Sequence, residues 1–242
     1  MHWSRPVLIV SAAVFAVAFS NRNDLSASIA FDAGIDRAPL QRATERYPFQ
    51  ANWDGIDYQV EPEYDYELTG LVVSFRQHDG ESRMHRLSED HLNVADLCVV
   101  WGDTARSPRL SSIRFWNGIF TCNFSTRDQA AWNAFDQTEV SNNHIIADDA
   151  QIRDRVDDVR IGDQIRVRGT LAAYISPNGS KRGTSTTRTD TGDGACETIY
   201  VDEFEIVVRG RNVWRPTMWA SLGAMGLGLF GFFSAPHKRH TN

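Results

Sequence analysis

Cys196, His144 and Asp190 are the residues of this 242-residue chain whose types could make a reaction centre. A thiol, an imidazole and a carboxylate are the parts of a nucleophile, a general base and a group that orients the base, so together they describe a thiol hydrolase. The neighbours of Cys196 argue for a quieter role. Ala195 precedes it and Thr198-Ile199-Tyr200 follows, the composition of a strand entry, where cysteine packs as a small hydrophobe. A nucleophilic cysteine needs instead an electropositive, partly exposed setting that favours the thiolate. His144 follows Asn142 and Asn143 and precedes Ile145-Ile146, where a buried imidazole donates to a loop carbonyl and fixes a turn. Structural use of both is the expectation, with catalysis the alternative.

Other chemistries have weaker support. Asp190-Thr191-Gly192 matches the aspartic-protease triplet, but the polar run Thr184–Thr189 stands where that motif needs an apolar strand. Gly192 and Gly194 beside Asp190 and Asp193 make a tight turn more simply. Asp190, Asp193 and Glu197 offer oxygens to calcium without the alternating spacing of an EF-hand loop. His78, His85 and His91 invite a zinc reading, yet no Cys-x-x-Cys or His-Glu-x-x-His frames them, and they read as exposed histidines. No metal and no cofactor is expected. A phosphate-binding loop, a dinucleotide fingerprint and a Gly-x-Ser-x-Gly elbow are all missing from the sequence. All 31 acidic residues lie between Asp24 and Glu205, so the middle of the chain is more acidic than the overall net charge of −6. Such a body repels phosphate backbones, which excludes nucleic acid as a partner.

The segment Arg182–Glu197 contains Ser185-Thr186-Thr187-Arg188-Thr189-Asp190-Thr191-Gly192-Asp193-Gly194-Ala195-Cys196-Glu197, preceded in the chain by Asn142-Asn143-His144 and Gly162-Asp163. This pattern resembles an uncharacterised family of bacterial cell-envelope proteins that share Asn-x-His, Gly-Asp and Ser-x-x-Arg-x-Asp-Thr-Gly-x-Gly-Ala-Cys-Glu. The resemblance covers Ser141–Val201; the chain departs from that family in its middle, which is not tryptophan-rich, and in a second membrane segment. It implies an exported domain whose shared polar residues are His144, Asp163, Arg188, Asp190, Cys196 and Glu197, and it implies no activity. Because it covers Cys196 alone of the three cysteines, Cys98 and Cys122, near the centres of two expected strands, are the expected disulfide. Cys196 is then reduced and buried.

These residues need a scaffold, and the pattern for it is β. Leu68–Phe75, Leu97–Gly102, Ile113–Phe124, Thr198–Val201 and Phe204–Val208 read as strands, and Gln164–Leu171 alternates polar and apolar strictly. Gln77–Glu81 supplies a turn with its Asp-Gly pair. Short helices follow Thr126 and the acids Asp148-Asp149. The fold class is mainly β: an exported β-sandwich or a small OB-like partly open barrel with short helices, flanked by N- and C-terminal membrane segments. Residues 22–66 read as a polar linker with one short helix around Leu40–Tyr47, and residues 67–210 as the exported β-domain.

The ends set the location. Val7–Phe19 is apolar apart from one serine and follows Arg5, which suits a signal peptide or a signal anchor over residues 1–21. Residues 214–236 read as a transmembrane helix, with nineteen uncharged residues between Pro216 and Pro236. Residues 237–242 form a basic tail whose Lys238 and Arg239 mark the cytoplasmic side. The main domain is then periplasmic or otherwise extracytoplasmic, on the inner membrane, with both termini cytoplasmic if the first segment is kept. Ala220, Ala224, Gly228 and Gly231 form a small-residue stripe that suits helix packing in the lipid bilayer. The functional expectation is a binding or accessory subunit of an envelope complex, with an integral membrane protein as partner through this helix and the exported domain. A ligand- or ion-sensing domain is the variant that differs only in what is bound.

Overall fold

The computed structural model describes residues 3–26, 29–78, 87, 89–192 and 196–234. They fall into two compact units, Leu25–Gly210 and a second made of Met1–Asp24 with Arg211–Asn242.

In the larger unit, ten strands run β1 (Leu40–Ala43), β2 (Phe49–Trp53), β3 (Ile56–Gln77), β4 (Asn93–Val100), β5 (Arg114–Asn117), β6 (Cys122–Ser125), β7 (Val140–Ile146), β8 (Gln164–Ile175), β9 (Lys181–Arg182) and β10 (Cys196–Val208). Eight of them make one mixed sheet and β5–β6 a separate hairpin. This sets aside the sandwich, which needs two sheets face to face.

The 22-residue β3 organises the sheet. Its C-terminal half pairs antiparallel with β4, and most of its length pairs antiparallel with β8. β4 continues to β7 antiparallel, β7 to β10 parallel, and β10 to β8 antiparallel. Both ends of that run therefore meet the same strand. Pro62, which has no N–H to donate, sits where the β3–β8 register shifts, the place a ladder tolerates proline. Gly169 lets β8 and β10 approach, since a Cβ there would collide with the Tyr200 carbonyl. The core gathers Leu68, Val72, Leu97, Val99, Ile145, Ile165, Val167, Leu171, Ile199 and Phe204 from these strands. Between β7 and β8, the helix Ala150–Asp157 is capped by Asp149, whose carboxylate accepts from Gln151 and Ile152 N–H. It lays Ile152 and Val156 on that core.

The range read as a linker, 22–66, is instead largely strand, and Leu40–Ala43 is β1 rather than a helix. The cause is legible in hindsight. Trp53-Asp54-Gly55-Ile56 is a two-residue hairpin with Asp54 at φ 53° and Gly55 at φ 75°, flanked by Phe49/Ala51 and Tyr58/Val60 as alternating apolar residues. Prolines and acids in the same stretch mask that alternation. Ile113–Phe124 is likewise a hairpin rather than one strand, and Asp128 rather than Thr126 caps the helix Gln129–Asn133. The expected turn at Asp79-Gly80 lies outside the described residues.

The smaller unit pairs two apolar helices, Ser4–Ser20 and Trp214–Ser234. They run antiparallel: Trp3 packs at Gly231, while Asn212 Nδ2 donates to the carbonyls of Asn21, Arg22 and Asp24. Ser4, Ser11 and Ala18 are buried at seven-residue spacing on the first helix, and Ser221 and Gly228 at the same spacing on the second. Small residues at a heptad repeat let two backbones close up. A Cβ on Gly228 would meet Leu8 at 3.0 Å. So the stripe expected at Ala220, Ala224, Gly228 and Gly231 is occupied by the chain's own first helix. Ala220 faces away, and Ser221 takes its place because an antiparallel partner selects a 3.5-residue repeat rather than a strict four. Among the described residues Trp214–Ser234 is the one helix long and apolar enough to cross a membrane; the first helix is shorter.

Candidate functional site

Pairing decides which chemistry-bearing side chains share a face. Asp96 on β4 lies opposite His144 on β7, and Cys98 opposite Asn142; Cys196 on β10 also lies opposite Asn142. Directly opposed residues project to the same side of a sheet, and residues two apart on one strand do so too. Asp96, Cys98, Asn142, His144 and Cys196 therefore form one polar face.

The β5–β6 hairpin covers it. Cys122 is joined to Cys98 by a disulfide with Cα atoms 5.4 Å apart. Asn117 Nδ2 donates to the Asp96 carbonyl at 3.1 Å, and Ser74 Oγ donates to Asn117 Oδ1. At the hairpin tip Phe120 takes φ 60°, a left-handed backbone uncommon for a bulky residue. Its carbonyl accepts from Asn142 Nδ2 at 3.0 Å. Its ring meets the His144 ring edge-on at 6.0 Å, and the Arg182 guanidinium lies 3.8 Å from its centroid.

The centre of the face is a carboxylate between two imidazoles. His144 Nδ1 is 2.5 Å from Asp96 Oδ1, and His78 Nε2 stands 3.0 Å from Asp96 Oδ2. Asn93 Nδ2 donates to Oδ1 at 3.1 Å. Asp96 is fully buried, and burial alone would raise its pKa. The bonds from His144 and His78 outweigh burial and hold the carboxyl far below the usual range, so it is ionised. His78, read from the sequence as exposed, has a buried side chain.

Cys196 and His144 share this face without touching. The Cys196 thiol donates to the Phe120 carbonyl at 3.6 Å and accepts from Asn142 at 3.8 Å. Burial, only partly offset by Asn142, pushes the thiol up, which disfavours the thiolate. No hydrogen bond joins Cys196 to His144 among the described residues. Asp190 is elsewhere: it accepts from the Ser185 hydroxyl within its own loop. The set Cys196, His144 and Asp190 is thus not assembled, because the loop turns Asp190 away from the strand that carries Cys196.

The remaining motif residues are structural. Arg188 donates to Glu197 at 2.8 Å, with its guanidinium near the rings of Tyr66 and Trp101. Burial raises the pKa of Glu197 despite that arginine. Asp163 accepts from Gly210 N–H at 2.7 Å, Arg160 N–H at 3.0 Å and Arg209 at 3.1 Å, closing the turn before β8. Among the described residues no group of three His, Cys, Asp or Glu could hold a metal ion. Asp193 and His85, from the calcium and zinc readings, lie outside them. Asp96 escaped the sequence reading, although a lone acid within Val94–Val100 was the available signal. No protein-family model, curated protein or solved structure matches the chain.

Proposed function

We propose that residues 25–210 form an exported, membrane-anchored binding domain, an accessory subunit of an envelope membrane-protein complex. One observation carries this reading: the groups on the polar face that could react are committed to internal contacts. His144 holds Asp96, the protonated Cys196 thiol donates to Phe120, and both lie under a disulfide-pinned hairpin. Such a face keeps a shape and offers no thiolate.

The strand order supports the OB-like, partly open barrel. β3, β4, β7, β10 and β8 succeed one another by pairing, with one parallel pair and a helix between β7 and β8, and folds of this kind bind ligands with a strand face and its loops. The likeness of Ser141–Val201 to envelope proteins agrees with export. In this reading the two apolar helices are a retained hairpin in the inner membrane, and its antiparallel course brings both termini to the cytoplasmic side beside Arg5, Lys238 and Arg239. Contact with an integral membrane partner then uses the side of the second helix away from the first, where Gly223 and Gly226 are open.

Purification of the tagged chain in mild detergent tests the reading, with a stoichiometric integral membrane protein expected beside it. A chain that purifies alone from its own membranes would sink it. Reporters of export inserted after residue 120 should be active and those at the C-terminus inactive; the reverse pattern overturns the placement. An intact Met1 in the mature chain is expected of the retained hairpin.

A thiol hydrolase keeps one observation in its favour: a carboxylate on His144 Nδ1 is how a catalytic base is oriented. It then uses Asp96 rather than Asp190.

A further inference from the structure

Beside the polar face, the β5–β6 hairpin and the β7–β10 edge enclose a cleft of about 260 Å³. Trp116 and Phe124 form its aromatic walls, and Asn123, Gln137 and Thr191 present amides and a hydroxyl to it. None of its described lining residues is charged, in a chain where 23% of residues are. A cleft without charge is matched to a neutral ligand, because an ion entering it would lose hydration with no opposite charge to replace it.

The polar groups are available. Trp116 is 40% exposed, and its indole N–H, the Gln137 amide, the Thr191 hydroxyl and Asn123 Oδ1 make no hydrogen bond with described residues. An amide carries both donors and an acceptor, which suits a ligand whose hydroxyls both give and take hydrogen bonds. Aromatic walls suit a ligand with an apolar C–H face. A sugar ring has both. The volume lies below the roughly 300–1,000 Å³ of sites for drug-sized molecules, so one ring fits at a time. The walls are also held before any ligand arrives. Cys122 is bonded to Cys98, and Asn142 is fixed on the Phe120 carbonyl. A preformed wall lowers the ordering cost of binding.

We propose that this cleft binds a neutral sugar residue of a glycan. The proposal rests on the binding reading above and names its ligand class; it does not depend on which membrane holds the chain.

The test uses the full chain in lipid nanodiscs, since many detergents carry sugar headgroups. Saturation-transfer NMR and calorimetry are run with chitotriose and maltotriose as neutral trimers and trigalacturonic acid as the charged comparator. One neutral trimer should bind with a Kd of about 1 mM or tighter, and the acid about tenfold more weakly. Trp116→Ala and Gln137→Leu should each weaken the neutral trimer about tenfold with an unchanged melting temperature. If Trp116→Ala misfolds, Gln137→Leu, at an exposed side chain, carries the test. Absence of binding by both neutral trimers, equal binding of the acid, or binding that survives Gln137→Leu overturns the proposal. A chain that co-purifies with a membrane protein but binds no sugar loses only this inference. One that binds sugar yet purifies alone loses only the subunit reading.

Discussion

Asp96 and Glu197 are both buried carboxylates next to cationic or imidazole groups, and their proton affinities move in opposite directions. Asp96 has an imidazole at each oxygen and the Asn93 amide besides, and its pKa is lowered. Glu197 has one bond to Arg188, its other oxygen meets no donor among the described residues, and its pKa is raised. Burial acts on both alike; the number of donors aimed at the charge decides the sign. The β4–β7 face is therefore a saturated ionic centre, whereas the motif loop is tied down by a single strained arrangement of charge.

The largest expected effect is at the saturated centre. Asp96→Asn removes a charge that holds two imidazoles, and breaking such a buried set costs roughly 3–5 kcal/mol. Thermal or urea unfolding of the full chain should show this drop, and a change below about 1 kcal/mol would remove Asp96 from the centre of the comparison.

Next is the clamp over that centre. Replacing Cys98 and Cys122 by serine opens a loop with a sequence separation of 24, worth about 3 kcal/mol by loop entropy. Peptide mapping of the native chain should find the two in one bridge; a bridge containing Cys196 would redraw the hairpin.

Acid sharpens the contrast. Asp96, with a lowered folded pKa, adds stability that is complete above its ordinary value of 3.8 and is lost as pH falls below it. Glu197, with a raised folded pKa, favours the folded state most when protonated, so its contribution is lost as pH rises above 4.5 toward its folded value. Glu197→Gln should therefore flatten the pH dependence on the alkaline side of 4.5 and cost only about 1 kcal/mol. A pH profile identical to the wild type would show that Arg188 neutralises Glu197 fully.

The smallest effect is expected at Cys196. Its thiol makes two long contacts, so Cys196→Ala should change stability by less than about 1 kcal/mol and leave the cellular phenotype intact. A stable, correctly inserted but functionally dead Cys196→Ala chain would favour the hydrolase using Asp96.

Local pattern carried part of this far. The alternation in Gln164–Leu171 is β8, the acids at 148–149 include the Asp149 cap, and Trp214–Ser234 is apolar enough to stand out unaided. These features are legible because they depend on residues adjacent in the chain, through strand period, capping and hydropathy. Tertiary structure alone decided which side chains meet. The pairing of β4 with β7 sets Asp96 opposite His144, 48 residues apart, and the register of β10 brings Cys196 to Asn142. It also set the first helix against Gly228 and enlisted 40–66 as strands around β3. Contacts between distant segments follow from register and from the closure of long loops, and neither leaves a periodic trace in the sequence.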